Sequence, residues 1–209
     1  MRLSTNRLDF TVNEQANKAA FLIRGKEAAA SMDADFWRLI LDDGFRTEIG
    51  VFSHAQTGRI TQIPNGLRIE YDKLLSAYGD TYDVYFRVDV EVVDDLFRFT
   101  PYIENNEFGL RVNECFCPLA DFTELCGPKA QDKLYWPEGL GTRIDDPWGF
   151  LKSLTKAYYQ HNEQEIFHHI PYPRASMSWF GVESGDSFLY VARYDEKMRY
   201  CFLTLSISR

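Results

Sequence analysis

Residues 82–93 alternate strictly between apolar and polar side chains. The apolar residues occupy every second position: Tyr82, Val84, Phe86, Val88, Val90 and Val92. An extended strand places all of them on one face, whereas a helix would scatter them around its circumference. The pattern therefore predicts a long strand with one buried face and one solvated face.

Two further strands are predicted directly after this one. Residues 96–103 alternate again, and Pro101 marks them as an edge or bulged strand, because proline cannot donate to a central ladder. The polar turn at residues 105–107 then leads into a third segment, residues 108–117. The three segments together predict an antiparallel meander.

A β-hairpin is predicted near the end of the chain, between residues 171 and 195. Two strand-like runs, ASMSWFGV and SFLYVARYD, flank the short segment Glu183-Ser184-Gly185-Asp186. Aromatic and β-branched runs that are joined by a short Gly/Asp loop are typical of hairpins. The preceding Pro171-Tyr172-Pro173 cannot be helical and favours an extended entry.

Shorter apolar runs predict further strands at residues 7–12, 19–23, 35–41, 47–53, 67–71, 165–170 and 199–207. Residues 118–161 differ, because Gly and Pro interrupt them, and they are predicted to form a long irregular excursion that is functional or interfacial. Within it, Asp146 and Pro147 predict the start of a helix, which apolar spacing carries to Tyr158. The chain is thus predicted to be all-β, a large antiparallel β-sandwich with one or two short helices.

Charge and length restrict the partners. The chain of 209 residues carries 31 acidic and 23 basic residues, a formal charge of −8. Nucleic-acid binding needs clustered Lys and Arg, so this balance argues against nucleic acid and against an anionic membrane. No apolar run is long enough for a transmembrane helix, and the first ten residues lack the apolar core of a signal peptide. A cytoplasmic location is the default expectation.

Neither a cofactor nor a metal site is predicted. The chain lacks G-x-S-x-G, G-x-G-x-x-G and phosphate-loop motifs. Adjacent His168 and His169 would point to opposite faces of a strand, so they cannot easily share a metal. The cysteines lack the paired C-x2–4-C spacing of structural zinc, which favours buried free thiols at Cys115, Cys117, Cys126 and Cys201.

Aromatic and arginine side chains are the remaining candidates for a site. Most acids fall in predicted turns, which favours solvated turn residues over a pair of catalytic carboxylates. An aromatic ring beside an arginine can contact a sugar, but packing in a core or at a domain interface is the commoner role. The candidates for carbohydrate or domain-interface contacts are Trp136, Arg143, Trp148, Arg174, Trp179 and Asp195.

A series of short motifs adds a family resemblance. In chain order they are residues 99–103 with Asn105, CPL at 117–119, DKLYWP at 132–137, Gly139, GTRI at 141–144, PYP at 171–173, ASMSW at 175–179, LYVA at 189–192 and Asp195. This order resembles the N-terminal β-domain of a largely uncharacterised family of bacterial glycoside-hydrolase-like proteins. Such domains look like the β-supersandwich of the galactose-mutarotase-like fold. The family pattern usually has Gln where this chain has Ser178.

The resemblance implies that residues 1–209 form a single β-supersandwich domain, the N-terminal part of a longer protein with a downstream (β/α)8 barrel. The barrel would carry the catalytic carboxylates, and this domain would pack on it and shape its carbohydrate cleft. No catalytic residue can therefore be assigned in this chain. Two alternatives stay open: a stand-alone sugar-binding or aldose-epimerase-like protein, which needs two His and a Glu that converge, and a purely structural or interaction domain.

Overall fold

The computed structural model describes residues 1–23, 35–120, 128–137, 140–153, 165–171, 179–194 and 202–208. The chain divides into two compact units, Met1–Thr123 and Glu124–Arg209. The sheets in both units are antiparallel, and the described residues contain one short α-helix. The prediction of an all-β fold is confirmed, whereas the prediction of a single supersandwich domain over residues 1–209 stays a prediction.

Unit 1 contains twelve described strands. They are β1 Arg2–Ser4, β2 Leu8–Val12, β3 Ala19–Ile23, β4 Arg38–Asp42, β5 Ile49–Phe52, β6 Arg59–Ile63, β7 Gly66–Tyr71, β8 Leu74–Leu75, β9 Thr81–Tyr82, β10 Val84–Val93, β11 Leu96–Asn105 and β12 Arg111–Phe116. They form sheets in the orders β1-β2-β3, β11-β10-β7-β6 and β12-β4-β5, with β8 and β9 as a separate pair. A 3-10 turn, Ser53–Ala55, follows β5.

Strand β10 matches the predicted alternation. Val84, Phe86, Val88 and Val90 are fully buried, while the residues between them are partly exposed. β10 pairs along its whole length with β11, in which Pro101 lies opposite Val88. Among the described strands, β11 is an edge strand of this sheet, so the edge position predicted from Pro101 is confirmed.

The core of unit 1 is rich in aromatic rings. Trp37 is fully buried, and its ring centroid lies 4.5 Å from that of Phe86 and 5.0 Å from that of Tyr71. The Tyr71 hydroxyl donates a hydrogen bond to the carbonyl of Ala16, and burial raises the pKa of this phenol. Burying such rings stabilises the unit by about 2 kcal/mol for each large side chain.

The predicted meander is wrong at its third strand. β12 pairs with β4 rather than with β11. Gly109 has a left-handed backbone (φ 81°), and the Asn105 side-chain amide donates to the Leu110 carbonyl at 2.8 Å. This turn leads the chain away from β11 and buries Leu110.

Unit 2 contains six described strands and the helix. They are β13 Lys133–Trp136, β14 Thr142–Ile144, α1 Pro147–Ser153, β15 Glu165–Pro171, β16 Trp179–Ser184, β17 Ser187–Ala192 and β18 Phe202–Ser208, and a 3-10 turn, Lys129–Gln131, precedes them. A four-stranded sheet has the order β14-β13-β16-β17, and β15 pairs with β18. The predicted hairpin is confirmed as β16 and β17, which Gly185 joins in a left-handed conformation (φ 56°).

The predicted irregular excursion is partly wrong, because β13 and β14 form a hairpin inside it. These strands are four and three residues long, too short to show a period along the sequence. The pairing of β13 with β16 supplies the order that the local sequence does not indicate. The start of the helix at Pro147 is confirmed: Asp146 accepts a hydrogen bond from the Gly149 amide at 2.9 Å. Its predicted continuation to Tyr158 lies outside the described residues.

The two cysteines of the described residues are free thiols, as predicted. Cys117 packs against the core of unit 1, whereas Cys115 is exposed, so the prediction of burial is wrong for that residue. The register shift between Val112 and Glu114 interrupts the regular alternation of β12 just before Cys115. Cys126 and Cys201 lie outside the described residues.

Candidate functional site

The four-stranded sheet of unit 2 has one buried face and one aromatic face. Because side chains alternate along a strand, Leu134, Trp136, Phe180 and Val182 lie on the buried face. Residues at the alternate positions, such as Tyr135 and Gly181, lie on the other face, as do their partners in β17. Four rings occupy that surface, here called the aromatic face: Tyr135, Trp179, Phe188 and Tyr190.

Gly181 lies at the centre of the aromatic face. The strand register places it between Tyr135 of β13 and Tyr190 of β17. A Cβ atom at this position would lie 2.2 Å from Cζ of Phe188. The Phe188 ring therefore lies directly over the glycine backbone, an approach that only a residue without a side chain permits.

The rings of the aromatic face contact one another but stay accessible. The centroid of Phe188 lies 5.6 Å from that of Tyr135 and 6.5 Å from that of Trp179, and Trp179 lies 5.7 Å from Tyr190. Phe188 is 49% exposed and Tyr190 is 38% exposed. Clustered exposed rings are unusual on a surface without a partner, and they are typical of binding sites.

A carboxylate lies among the rings. Glu183 accepts hydrogen bonds from the Lys133 ammonium at 2.5 Å and from the Tyr135 hydroxyl at 2.6 Å. The Lys133 bond, followed by the Tyr135 bond, holds the pKa of Glu183 below its ordinary value. The same bond to Glu183 raises the pKa of Tyr135. Glu183 is thus an ionised carboxylate, and each of its oxygens has a partner.

An arginine lies at one border of the aromatic face. The register of β14 places Arg143 opposite Tyr135. Its guanidinium donates to Asp145 at 2.7 Å, and this bond raises the pKa of Arg143. The charge of Arg143 is therefore balanced locally.

The structure divides the six residues predicted from the sequence. Trp179 and Arg143 belong to the aromatic face and its border. Trp136 belongs to the opposite face of the same sheet, is 2% exposed and packs 5.6 Å from Phe180, so it is a core residue. Arg174 and Asp195 lie outside the described residues.

Trp148 lies apart from the aromatic face, on α1. Its indole N–H donates to Asp132 at 2.9 Å, and the Lys129 ammonium lies 5.0 Å from the ring centroid. Asp132 is 1% exposed. The buried carboxylate thus fixes Trp148 to the segment that precedes β13, which is a structural role.

Sequence reasoning missed three rings of the face, Tyr135, Phe188 and Tyr190, and it placed Glu183 in the loop between the two hairpin strands. Glu183 belongs instead to strand β16, where it pairs with Phe188. The hairpin register could have identified Phe188 and Tyr190, since residues two apart on a strand share a face.

A second polar cluster surrounds Asp35 in unit 1. Its Oδ1 accepts hydrogen bonds from the Ser53 hydroxyl, the His54 amide and His54 Nδ1, each at 2.9 Å. An epimerase site would need a second histidine and a glutamate, and the side chains of the other three histidines lie outside the described residues. The epimerase alternative stays a prediction.

Two general findings concern the described part of the chain. No group of three or more His, Cys, Asp and Glu side chains is placed there to hold a metal ion. No helix among those residues has the length and apolar character that crossing a membrane requires.

Comparison with known proteins gives no family: no family model matches the chain, and no curated protein matches it significantly.

Proposed function

We propose that this chain is a non-catalytic β-domain of a glycoside-hydrolase-like protein, and that its aromatic face binds carbohydrate. The observation that carries the proposal is the cluster of four rings on one sheet face. The CH-rich faces of sugars stack on such rings, while sugar hydroxyls exchange hydrogen bonds with the polar groups between them. In the longer protein that the resemblance implies, this surface would form part of the carbohydrate cleft of the (β/α)8 barrel.

The charge state of the face supports binding rather than catalysis. A glycosidase needs one carboxylic acid whose pKa is raised, so that it can protonate the leaving group. Glu183 has the opposite character, because Lys133 and Tyr135 stabilise its ionised form. Its two oxygens are also occupied, which suits a residue that positions its neighbours.

Isothermal titration calorimetry of the chain with a panel of oligosaccharides tests the proposal. We expect at least one sugar to bind to the chain. We expect the Trp179→Ala variant to bind that sugar about tenfold more weakly, since a stacked ring contributes about 1 kcal/mol or more. Tyr102→Ala is the matched control, because Tyr102 is a 44% exposed ring on the four-stranded sheet of unit 1. Absence of binding to every sugar, or wild-type affinity in Trp179→Ala, would refute the proposal.

A further inference from the structure

The rings of the aromatic face do not share a plane. The planes of Tyr135 and Phe188 differ by 56°, those of Trp179 and Phe188 by 63°, and those of Trp179 and Tyr190 by 39°. A flat crystalline polysaccharide could stack on only one of these rings at a time. A single chain in solution can instead turn successive sugar rings toward successive side chains.

The charged groups of the face neutralise one another. Lys133 pairs with Glu183 at 2.5 Å, and Arg143 pairs with Asp145 at 2.6 Å. Among the described side chains of this surface, both cations therefore already have an anionic partner. An acidic polysaccharide would have to displace a carboxylate from its own cation, so charge complementarity favours an uncharged ligand.

Uncharged hydroxyl groups complete the surface. The Tyr190 hydroxyl lies 3.4 Å from that of Tyr194, which is 74% exposed. Their hydrogen bond, followed by burial, raises the pKa of Tyr190 to about 12. Tyr190 therefore stays a neutral phenol at physiological pH, able both to donate to and to accept from sugar hydroxyls.

We infer that the aromatic face binds a single, soluble, uncharged glycan chain, and neither an insoluble polysaccharide surface nor an acidic polysaccharide. The inference rests on the proposed function, because it names the class of carbohydrate for the same face. Phe188 is the central contact, since its position over Gly181 sets its tilt against both Tyr135 and Trp179.

The test compares three classes of probe on the whole chain. Cellohexaose, mannohexaose and xylohexaose represent soluble neutral chains, polygalacturonate represents acidic ones, and sedimentation with microcrystalline cellulose and chitin tests insoluble surfaces. We expect calorimetric binding to at least one neutral hexasaccharide, affinity about tenfold or more lower for polygalacturonate, and no depletion by either insoluble material.

A glycine variant tests the geometry itself. Gly181→Ala keeps every ring but moves Phe188, so we expect a loss of about fivefold or more in affinity for the neutral chain. Phe188→Ala, which lacks the ring, is the second variant. We expect the same loss of affinity for it, so it serves as the test if Gly181→Ala does not fold. Wild-type affinity in the folded variants would overturn the role of the tilt.

The outcomes separate the inference from the function beneath it. Preference for cellulose, chitin or polygalacturonate would overturn the inference and leave carbohydrate binding intact. No binding to any probe would overturn both. Sedimentation velocity tests whether a second copy of the chain binds to the face. A dimer that dissociates in Trp179→Ala would show that it does, and would also overturn the inference.

Discussion

The two four-stranded sheets of this chain present opposite chemistries on their accessible faces. In unit 1, the face of β11-β10-β7-β6 carries ion pairs: Arg68 donates to both carboxylate oxygens of Asp89, at 2.8 and 2.9 Å. Beside this pair, the Tyr85 hydroxyl donates to Glu70 at 2.7 Å, and this bond lowers the pKa of Glu70. In unit 2, the accessible face of the four-stranded sheet is the aromatic face.

The difference lies in how much aromatic surface each face leaves in water. On the accessible face of the unit 1 sheet, Arg68 and Arg87 both lie near Asp89, and the guanidinium carbon of Arg87 lies 4.7 Å from the centroid of the exposed Tyr102 ring. On the sheet of unit 2, rings stay exposed although burial would stabilise them. The second surface is therefore the one whose composition the fold alone does not explain.

The largest expected effect separates the two faces of the sheet in unit 2. Trp136→Ala removes a ring that is 2% exposed, so we expect the free energy of unfolding to fall by about 4 kcal/mol. Trp179→Ala, from the accessible face, should lower it by about 1 kcal/mol or less. Urea denaturation followed by far-UV circular dichroism measures both, and equal losses would contradict the assignment of Trp179 to a binding surface.

The next prediction applies one substitution to both sheets. A Cβ at Gly66 would lie 2.2 Å from the Val90 carbonyl oxygen, so Gly66→Ala must shift the backbone between β7 and β10. We expect a loss of about 3 kcal/mol in unfolding free energy. Gly181→Ala meets only the movable Phe188 ring and should change stability by about 1 kcal/mol or less.

Thermal unfolding of the two glycine variants measures this contrast. Gly79→Ala is the control for backbone strain alone, because Gly79 has φ 89° and open space around the position of a Cβ. A Gly66→Ala variant that is as stable as Gly79→Ala would show that the two central strands are less tightly packed than described.

A smaller effect is expected from the ion pairs of unit 1. Asp89→Asn removes the carboxylate that Arg68 contacts, and it should lower the unfolding midpoint by about 2 °C in low salt. The difference should shrink as salt is added, because ions screen partly exposed pairs. Asp72→Asn is the control, since Asp72 is 72% exposed and lies 3.8 Å from Arg59. A loss that does not depend on salt would contradict the electrostatic explanation.

The smallest effect is a pH dependence in unit 2. Because Lys133 and Tyr135 lower the pKa of Glu183, the stabilisation is complete above the ordinary glutamate pKa and is lost as pH falls through the lowered value. The difference in unfolding midpoint between the wild type and Glu183→Gln should therefore be greatest near pH 7 and should shrink from about pH 4 downward. A constant difference down to about pH 2 would show that Glu183 is not stabilised as an anion.

The sequence predicts those parts of the fold that depend on local pattern. Strict alternation identifies β10 and its buried face, Pro101 identifies an edge strand, and Asp146 with Pro147 identifies the start of α1. The partner of β12 could not be predicted, because alternation defines the faces of a strand but not its neighbour. β13 is shorter than the window in which a period can be recognised.

The candidate site shows the same limit. Aromatic content points to Trp179 and Trp136 alike, although Trp179 lies on the accessible face of the sheet and Trp136 on the buried face. Tyr135 and Trp136 are adjacent in sequence and point to opposite sides, so only the pairing of β13 with β16 decides which ring faces solvent. Composition identifies the kind of residue, and register decides its role.

Strand β17 has a consequence for how the protein behaves at high concentration. Among the described strands it is an outer one of its sheet, and its sequence SFLYVA contains no charge, proline or glycine. Uncharged β-forming segments of six residues on a sheet edge promote strand addition between molecules and aggregation. Asp186 and Arg193 flank the segment, where such charges oppose stacking of copies. Substitutions that neutralise these two charges, such as Asp186→Asn together with Arg193→Gln, should favour aggregation through β17.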